Sequence, residues 1–290
     1  MLNLIRLQAT QTKLLKRIEK KETHFKKRMT SSYKNTAYDI RKDILAFYAM
    51  YATDKDFIRY RDVVLPLSTS DRNLLREQCK TFLLEDSEHS SLIPDLDRIH
   101  RLNRLQGLQL YVTLRLLALA RKESRELNAH LISVYDMTYA EISQVAGDTE
   151  KENHTIDVSE NIYQNIIKLS KKIVSDIAQD IARRVDSVQL SDKIFERVTK
   201  ISQNDMNRLM YTEDTTAFND AVKDILIRYY ERYYIVTAHD SRVCDVCRDL
   251  EGQAFDFKDA QIGINFPPLH PWCRCRIFPF TEIELEEIEE

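Results

Sequence analysis

Four of the five cysteines of this 290-residue chain lie within residues 244–275, with a histidine among them. The pattern is Cys244-x2-Cys247, then twenty-two residues, then His270-x2-Cys273-x-Cys275. A two-residue gap lets both thiolates of a CxxC knuckle approach one ion, and a second clustered pair closes the tetrahedron from across a loop. Five donors compete for four places. Cys244 and Cys247 supply one half; His270 with Cys273, or Cys273 with Cys275, supplies the other. Soft donors with no evident open position fit a structural zinc site. The alternative is a set of reduced thiols in a module held by packing. Zinc is the expected cofactor, because a small aromatic module has little core of its own and gains folding energy from a metal.

The elements that must carry these donors follow from composition. Only four glycines occur, and three of the six prolines lie within residues 267–271, so the first 230 residues should be mostly long helices. One helix is expected over 3–30, with Leu4, Leu7, Leu14, Leu15 and Ile18 at helical spacing, and a second contains Ile44 to Ala52 and breaks before Pro66. Ser70 or a neighbour should cap a third, running through Leu74, Leu75 and Phe82. A leucine-rich helical region spans about 95–145, and Gly147-Asp148 with the polar run to Thr155 is the clearest break. Beyond it, Asp157 with Glu160 reads as a capping box. Ile162, Ile166, Leu169, Ile173, Ile177 and Ile181 then form one apolar stripe. YYIVTA (233–238), QAFDF (253–257) and RCRIFPF (274–280) read as short strands. The expected fold class is mainly α: a long-helix bundle with a small C-terminal α+β zinc-binding module. The expected organisation is a helical region over 1–148, a linker at 149–158, a second helical block at 159–234, the Cys/His module at 235–280 and an acidic tail at 281–290.

Charge is polarised along the chain although the net charge is only −3. Residues 1–42 hold twelve Lys and Arg against three acids, and residues 282–290 hold six glutamates and no base. Lys13, Lys16, Arg17, Lys20, Lys21, Lys26, Lys27 and Arg28 are candidates for contact with double-stranded DNA, since lysines along a helix neutralise phosphates without reading sequence. The plainer reading of the same residues is a solvated helix face. The first residues lack the apolar core of an export signal, and the longest apolar run, Ile44 to Ala52, is too short to cross a bilayer. A reducing compartment is the expectation, where clustered cysteines bind metal more often than they pair. Cys79, alone in a helix, reads as core packing, and His239 beside Asp240 as part of a turn.

The stretch TAHDSRVCDVCRDLEGQAFDF…INFPPLHPWCRC resembles the C-terminal signature of phage minor head proteins, the Mu F-like or SPP1 gp7-like head morphogenesis family. Thr237, Asp240, Arg242, Cys244, Cys247, Gly252, Pro267, Pro268, His270, Pro271, Cys273, Arg274 and Cys275 occupy the signature's places. Upstream, Arg208, Thr212, Glu213 and Asn219 are similar to the family's Arg-x-x-x-Thr-Glu segment. Trp272 departs from the pattern, where the family often has Asn, and so does Glu251, where Asp is common. The resemblance implies a virion component made in a bacterial host's cytoplasm and placed inside the head near the portal vertex. Its partners would be the portal protein and other capsid or scaffold components. Its work would be head morphogenesis and genome packaging or ejection.

Enzymatic readings find little support in the residues. HPWC with CxxC is reminiscent of zinc-supported nucleases, but no second His/Asn helix follows. Ser68-Thr69-Ser70 with Glu284-x-Glu286 is a superficial match to an ADP-ribosyltransferase. The H-x-E with P-C-x-x-C deaminase signature and the P-loop, GxSxG and HExxH motifs are absent. A cytosolic zinc-containing DNA-binding protein would need a recognition helix, and none stands out. The expectation is a non-enzymatic protein with no membrane partner.

Overall fold

A computed structural model of the chain describes residues 3–53, 56–149 and 154–280, without the side chains of residues 201–203. The acidic tail 281–290 and part of the linker expected at 149–158 lie outside the described residues.

The two helices expected before Pro66 are one, α1 (Leu4–Tyr51), because no glycine or proline separates them. Its buried positions include Leu7, Leu14, Ile18, Phe25, Met29, Ile40, Ile44 and Phe47, which lie on one face at helical spacing. The short α2 (Tyr60–Val63) precedes α3 (Thr69–Glu85), whose cap is Ser68: its Oγ accepts from the Asp71 N–H at 3.1 Å. Two 3-10 turns, Ser90–Leu92 and Leu96–Arg101, lead to α4 (Arg104–Ala146). Asn103 and Gln106 cap α4 reciprocally, each side chain accepting from the other's backbone N–H at 2.8 and 3.0 Å. Gly107 in the first turn lets Leu67 approach, since a Cβ there would lie 2.6 Å from Leu67 Cδ2. Gly147 ends α4 at φ +72°.

At the start of α5 (Ser159–Ala182) the expected capping box does not form. Asp157 accepts from the Ser159 N–H at 2.8 Å, but Glu160 accepts from the Gln164 side chain one turn on. All six residues of the α5 apolar stripe are buried. Then come α6 (Ser187–Leu226), β1 (Arg232–Val236), α7 (Asp245–Asp249), β2 (Ala254–Asp256) and β3 (Arg276–Pro279). The strands form one antiparallel sheet in the order β2-β1-β3, with Tyr233 paired to Phe255 on one side and Pro279 on the other. No described helix is long and apolar enough to cross a membrane.

The chain divides into two compact units made of non-contiguous pieces. One contains residues 27–126 and 157–205, the other the segments up to 26, 127–156 and from 206 onward. In the first, α5's stripe is buried with Leu75, Phe82, Leu116, Leu190 and Ile194, and Arg115 grips Asp43 through two nitrogens. In the second, Tyr233 is fully buried among Phe257, Phe255 and Phe266, with ring centroids 4.8, 5.9 and 5.7 Å away. The cysteine-bearing segment thus has an aromatic core that its sequence understated.

Candidate metal centre

The Cys-x2-Cys knuckle is the opening turn of α7. Cys244 is its N-cap residue and Cys247 lies in its first turn, so the helical period turns both thiols the same way. The other donors come from the extended lead into β3, residues 270–275. The five donor atoms make two triads, Cys244–Cys247–His270 and Cys247–Cys273–Cys275, each with all its atoms within 4.8 Å of one another. Cys247 belongs to both. His270 Nε2 lies 3.2 Å from Cys244 Sγ and 3.1 Å from Cys247 Sγ, and Cys247 Sγ lies 3.9 Å from Cys273 Sγ. Around a tetrahedral ion with metal–sulfur bonds near 2.3 Å, sulfurs are about 3.8 Å apart. The Cys247–Cys273 spacing has that value.

The imidazole is oriented for ligation. His270 Nδ1 lies 2.7 Å from the Pro271 carbonyl, which can only accept, so Nδ1 carries the proton. In the neutral ring Nε2 then presents its lone pair toward Cys244 and Cys247. An outer hydrogen bond of this kind is how metal-ligating histidines are held in one tautomer.

The thiols crowd one another. A hydrogen bond from the Cys275 thiol, with further bonds from the backbone, draws the Cys273 thiol down to about 5. Burial pushes Cys247 up to about 12. Cys275 is raised as well, by its bond to Cys273 and by burial. The thiols cannot all ionise together without a compensating charge, and a bound divalent cation supplies one. The donor set fits a thiolate-preferring ion.

Helix α6 holds the strand lead in place through one face. Thr212 Oγ1 accepts from the Trp272 N–H at 3.3 Å, and Thr215 Oγ1 donates to the Cys273 carbonyl at 2.8 Å. Asn219, fully buried, donates to the Cys275 carbonyl at 3.1 Å and accepts from the Ile277 N–H at 3.2 Å. From α1, Gln11 donates to the Ile277 carbonyl at 3.1 Å. Steps of three and four along α6 place all three side chains over consecutive turns facing the strand. Asn219 and Thr212 were picked out by sequence similarity; Thr215 and Gln11 were not, since a bond to a backbone carbonyl leaves no pattern in the partner's sequence.

The loop between β1 and α7 is tied from both ends. Arg274 grips Asp240 through two nitrogens at 2.6 and 2.7 Å, and Asp240 also accepts from the Arg242 N–H at 2.9 Å. These bonds hold the Asp240 carboxyl well below the usual carboxylate range. Glu251 accepts from the Thr237 hydroxyl at 3.0 Å and lies 3.2 Å from His239 Nε2, so His239 belongs to a turn network. Gly252 follows at φ +74°. Trp272 has φ +69°, the left-handed region, where Asn sits more easily than a bulky side chain. That accounts for Asn being common at this place in the similar signature. Here Trp272 is retained with its ring 4.9 Å from Tyr211 and is 45% exposed.

The basic candidates all lie on α1. Lys13, Lys16, Arg17, Lys20, Lys26, Lys27 and Arg28 are exposed and Lys21 is half-buried. Lys21 donates to Ser133 Oγ at 2.9 Å and Arg17 pairs with Glu141, so these two are engaged within the protein. Lys13, Lys16 and Lys20 share one exposed face by their spacing of three and four. Cys79 is fully buried in α3, as expected of a core thiol.

Residues 171–278 match the family described as Phage Mu protein F like protein. Over that span, about a third of the chain, the protein is similar to the Mu F-like phage head family. The matched span runs from the second half of α5 to β3 and includes all five metal-donor candidates, the α6 residues that seat them and the Asp240–Arg274 clamp. No curated protein and no solved structure matches the chain.

Proposed function

We propose that this Mu F-like protein is a minor head protein, present in few copies inside the virion near the portal vertex. There it acts in head morphogenesis and in genome packaging or ejection, with the portal protein and other capsid or scaffold components as partners. The observation that carries the reading is the family match over 171–278, which contains the Cys/His segment whose donor side chains converge. In this reading Cys244, Cys247, His270, Cys273 and Cys275 supply the ligands of a structural zinc ion, and no catalytic role is assigned. Zinc would fix the 236–280 segment against α6, while the exposed lysines of α1 contact duplex DNA without sequence preference.

Sedimentation tests the location. The protein should travel with portal and procapsids at a copy number far below that of the major capsid protein, and its absence from both procapsids and mature heads would overturn the assignment. Metal analysis of purified protein should return one zinc per chain. Affinity for duplex DNA should fall steeply with salt, log K dropping by about 0.9 per phosphate neutralised for each decade of salt. Removal of residues 1–30 should abolish most of that affinity.

A further inference from the structure

Two polar residues interrupt the buried face of α1 before residue 26, Gln11 and Glu22. Gln11 bonds the Ile277 carbonyl. Glu22 faces a second buried acid, Asp214 of α6, which is 2% exposed. His130 of α4, 8% exposed, completes the group: its Nε2 lies 2.9 and 3.1 Å from the two oxygens of Asp214, and its ring stacks on Phe25 with centroids 4.9 Å apart. Three helices therefore meet at two carboxyls and one imidazole.

Chemistry limits how this group can be charged. A carboxylate only accepts, so His130 Nε2 must donate to Asp214. That bond goes to Oδ2, so with both acids ionised the buried Oδ1 of Asp214 has no donor aligned to it. Two carboxyls can share a side-chain hydrogen bond only when one of them carries a proton. We propose that Glu22, Asp214 and His130 form a proton-held clasp, in which one proton shared by the two carboxyls ties α1 to α6 and its loss releases the α6 turn that seats residues 272–275. Asp214 sits between Thr212 and Thr215, the residues that bond the Trp272 N–H and the Cys273 carbonyl.

The other charged groups around the clasp support the same direction. Burial first, then Asp214 and Glu19, push Glu22 up to about 8, opposed by Lys26. Burial also raises Asp214, opposed by His130 and Lys21, and Glu213 is raised by burial and by Asp214. Tyr211, one turn before Asp214, is raised by burial and by the nearby acids Glu22, Glu19 and Asp214. A carboxyl whose folded pKa lies above its unfolded value stabilises the fold fully below that unfolded value, here 4.5. The stabilisation is given up as pH rises and is gone above about 8.

Amide hydrogen exchange on the full-length protein tests the clasp, read at residues 14–26 and 208–219 between about pH 6 and pH 9.5. Protection should fall by about tenfold for each pH unit as pH rises toward about 8 and level off above it, after correction for intrinsic exchange. Glu22→Gln places an amide donor against Asp214 at every pH and should remove the transition. Asp214→Asn, which donates to an ionised Glu22, should do the same. A wild-type protein with flat protection across this range overturns the proposal, and so does a Glu22→Gln protein with an unshifted transition. If neither variant folds, the wild-type denaturation midpoint decides: it must decline steadily from pH 5 to pH 8, and a constant midpoint overturns the proposal.

Discussion

Helix α5 and the segment from 235 to 280 are held by different forces. Along α5, six aliphatic side chains at steps of three and four are buried on one face, and the contacts are undirected and interchangeable. In the 235–280 segment the lead into β3 is fixed by directed bonds: Thr212, Thr215 and Asn219 from α6, Gln11 from α1, and Arg274 closing on Asp240. Its aromatic core around Tyr233 is small, and its remaining centre is a cluster of thiols and one imidazole placed so that it could hold a metal ion. The first kind of region degrades gradually when a side chain is trimmed. The second depends on single atoms, so individual substitutions there should remove more than their share.

Cys247→Ser sets the upper end of that contrast, because Cys247 belongs to both donor triads. It should abolish stoichiometric metal and open residues 236–280 to hydrogen exchange, since metal binding in a small module supplies on the order of 10 kcal/mol of folding energy. Amides of α5 should keep their protection. Loss of protection throughout would mean that the two regions share one cooperative core.

Ile173→Ala is the counterpart in α5. Ile173 is fully buried, and truncation there should cost about 2–5 kcal/mol in denaturant unfolding while leaving metal content unchanged. A smaller effect, about 2 kcal/mol, is expected for Asn219→Ala, which strands the buried Cys275 carbonyl and Ile277 N–H together. Unlike Ile173→Ala, it should also weaken metal retention against a competing chelator. Equal retention in the two variants would erase the distinction between the regions. The smallest effect should come from Trp272→Asn. It deletes a ring contact with Tyr211 but relieves a left-handed backbone, so its net change should stay within about 1 kcal/mol. A loss as large as that of Ile173→Ala would show that the exposed indole carries the loop.

Much of this was legible in the residues. The α5 stripe, the break at Gly147, the three short strands and the five donor positions follow from periodicity, turn residues and cysteine spacing. The continuity of α1 was not. Periodicity alone suggests two helices, though the polar stretch between Thr30 and Asn35 contains no residue that stops a helix. Nor was the cap of α5, where Glu160 turned to Gln164 in place of the backbone. Local side-chain competition decides such details, and propensity does not register it.

What the sequence determined by itself is the set of elements and the chemistry that each carries. Helical period and CxxC spacing are properties of neighbours in the chain, and they survive any arrangement of the rest. Only the tertiary structure decided which distant groups share a buried space. It turned His270 Nε2 toward Cys244 and Cys247 by giving Nδ1 the Pro271 carbonyl. It brought Glu22, His130 and Asp214 together from three helices, so that Glu22, one of three acids in a basic segment, became a buried acid. Ionisation depends on solvent and on neighbouring charge, and both are set by folding rather than by the order of residues.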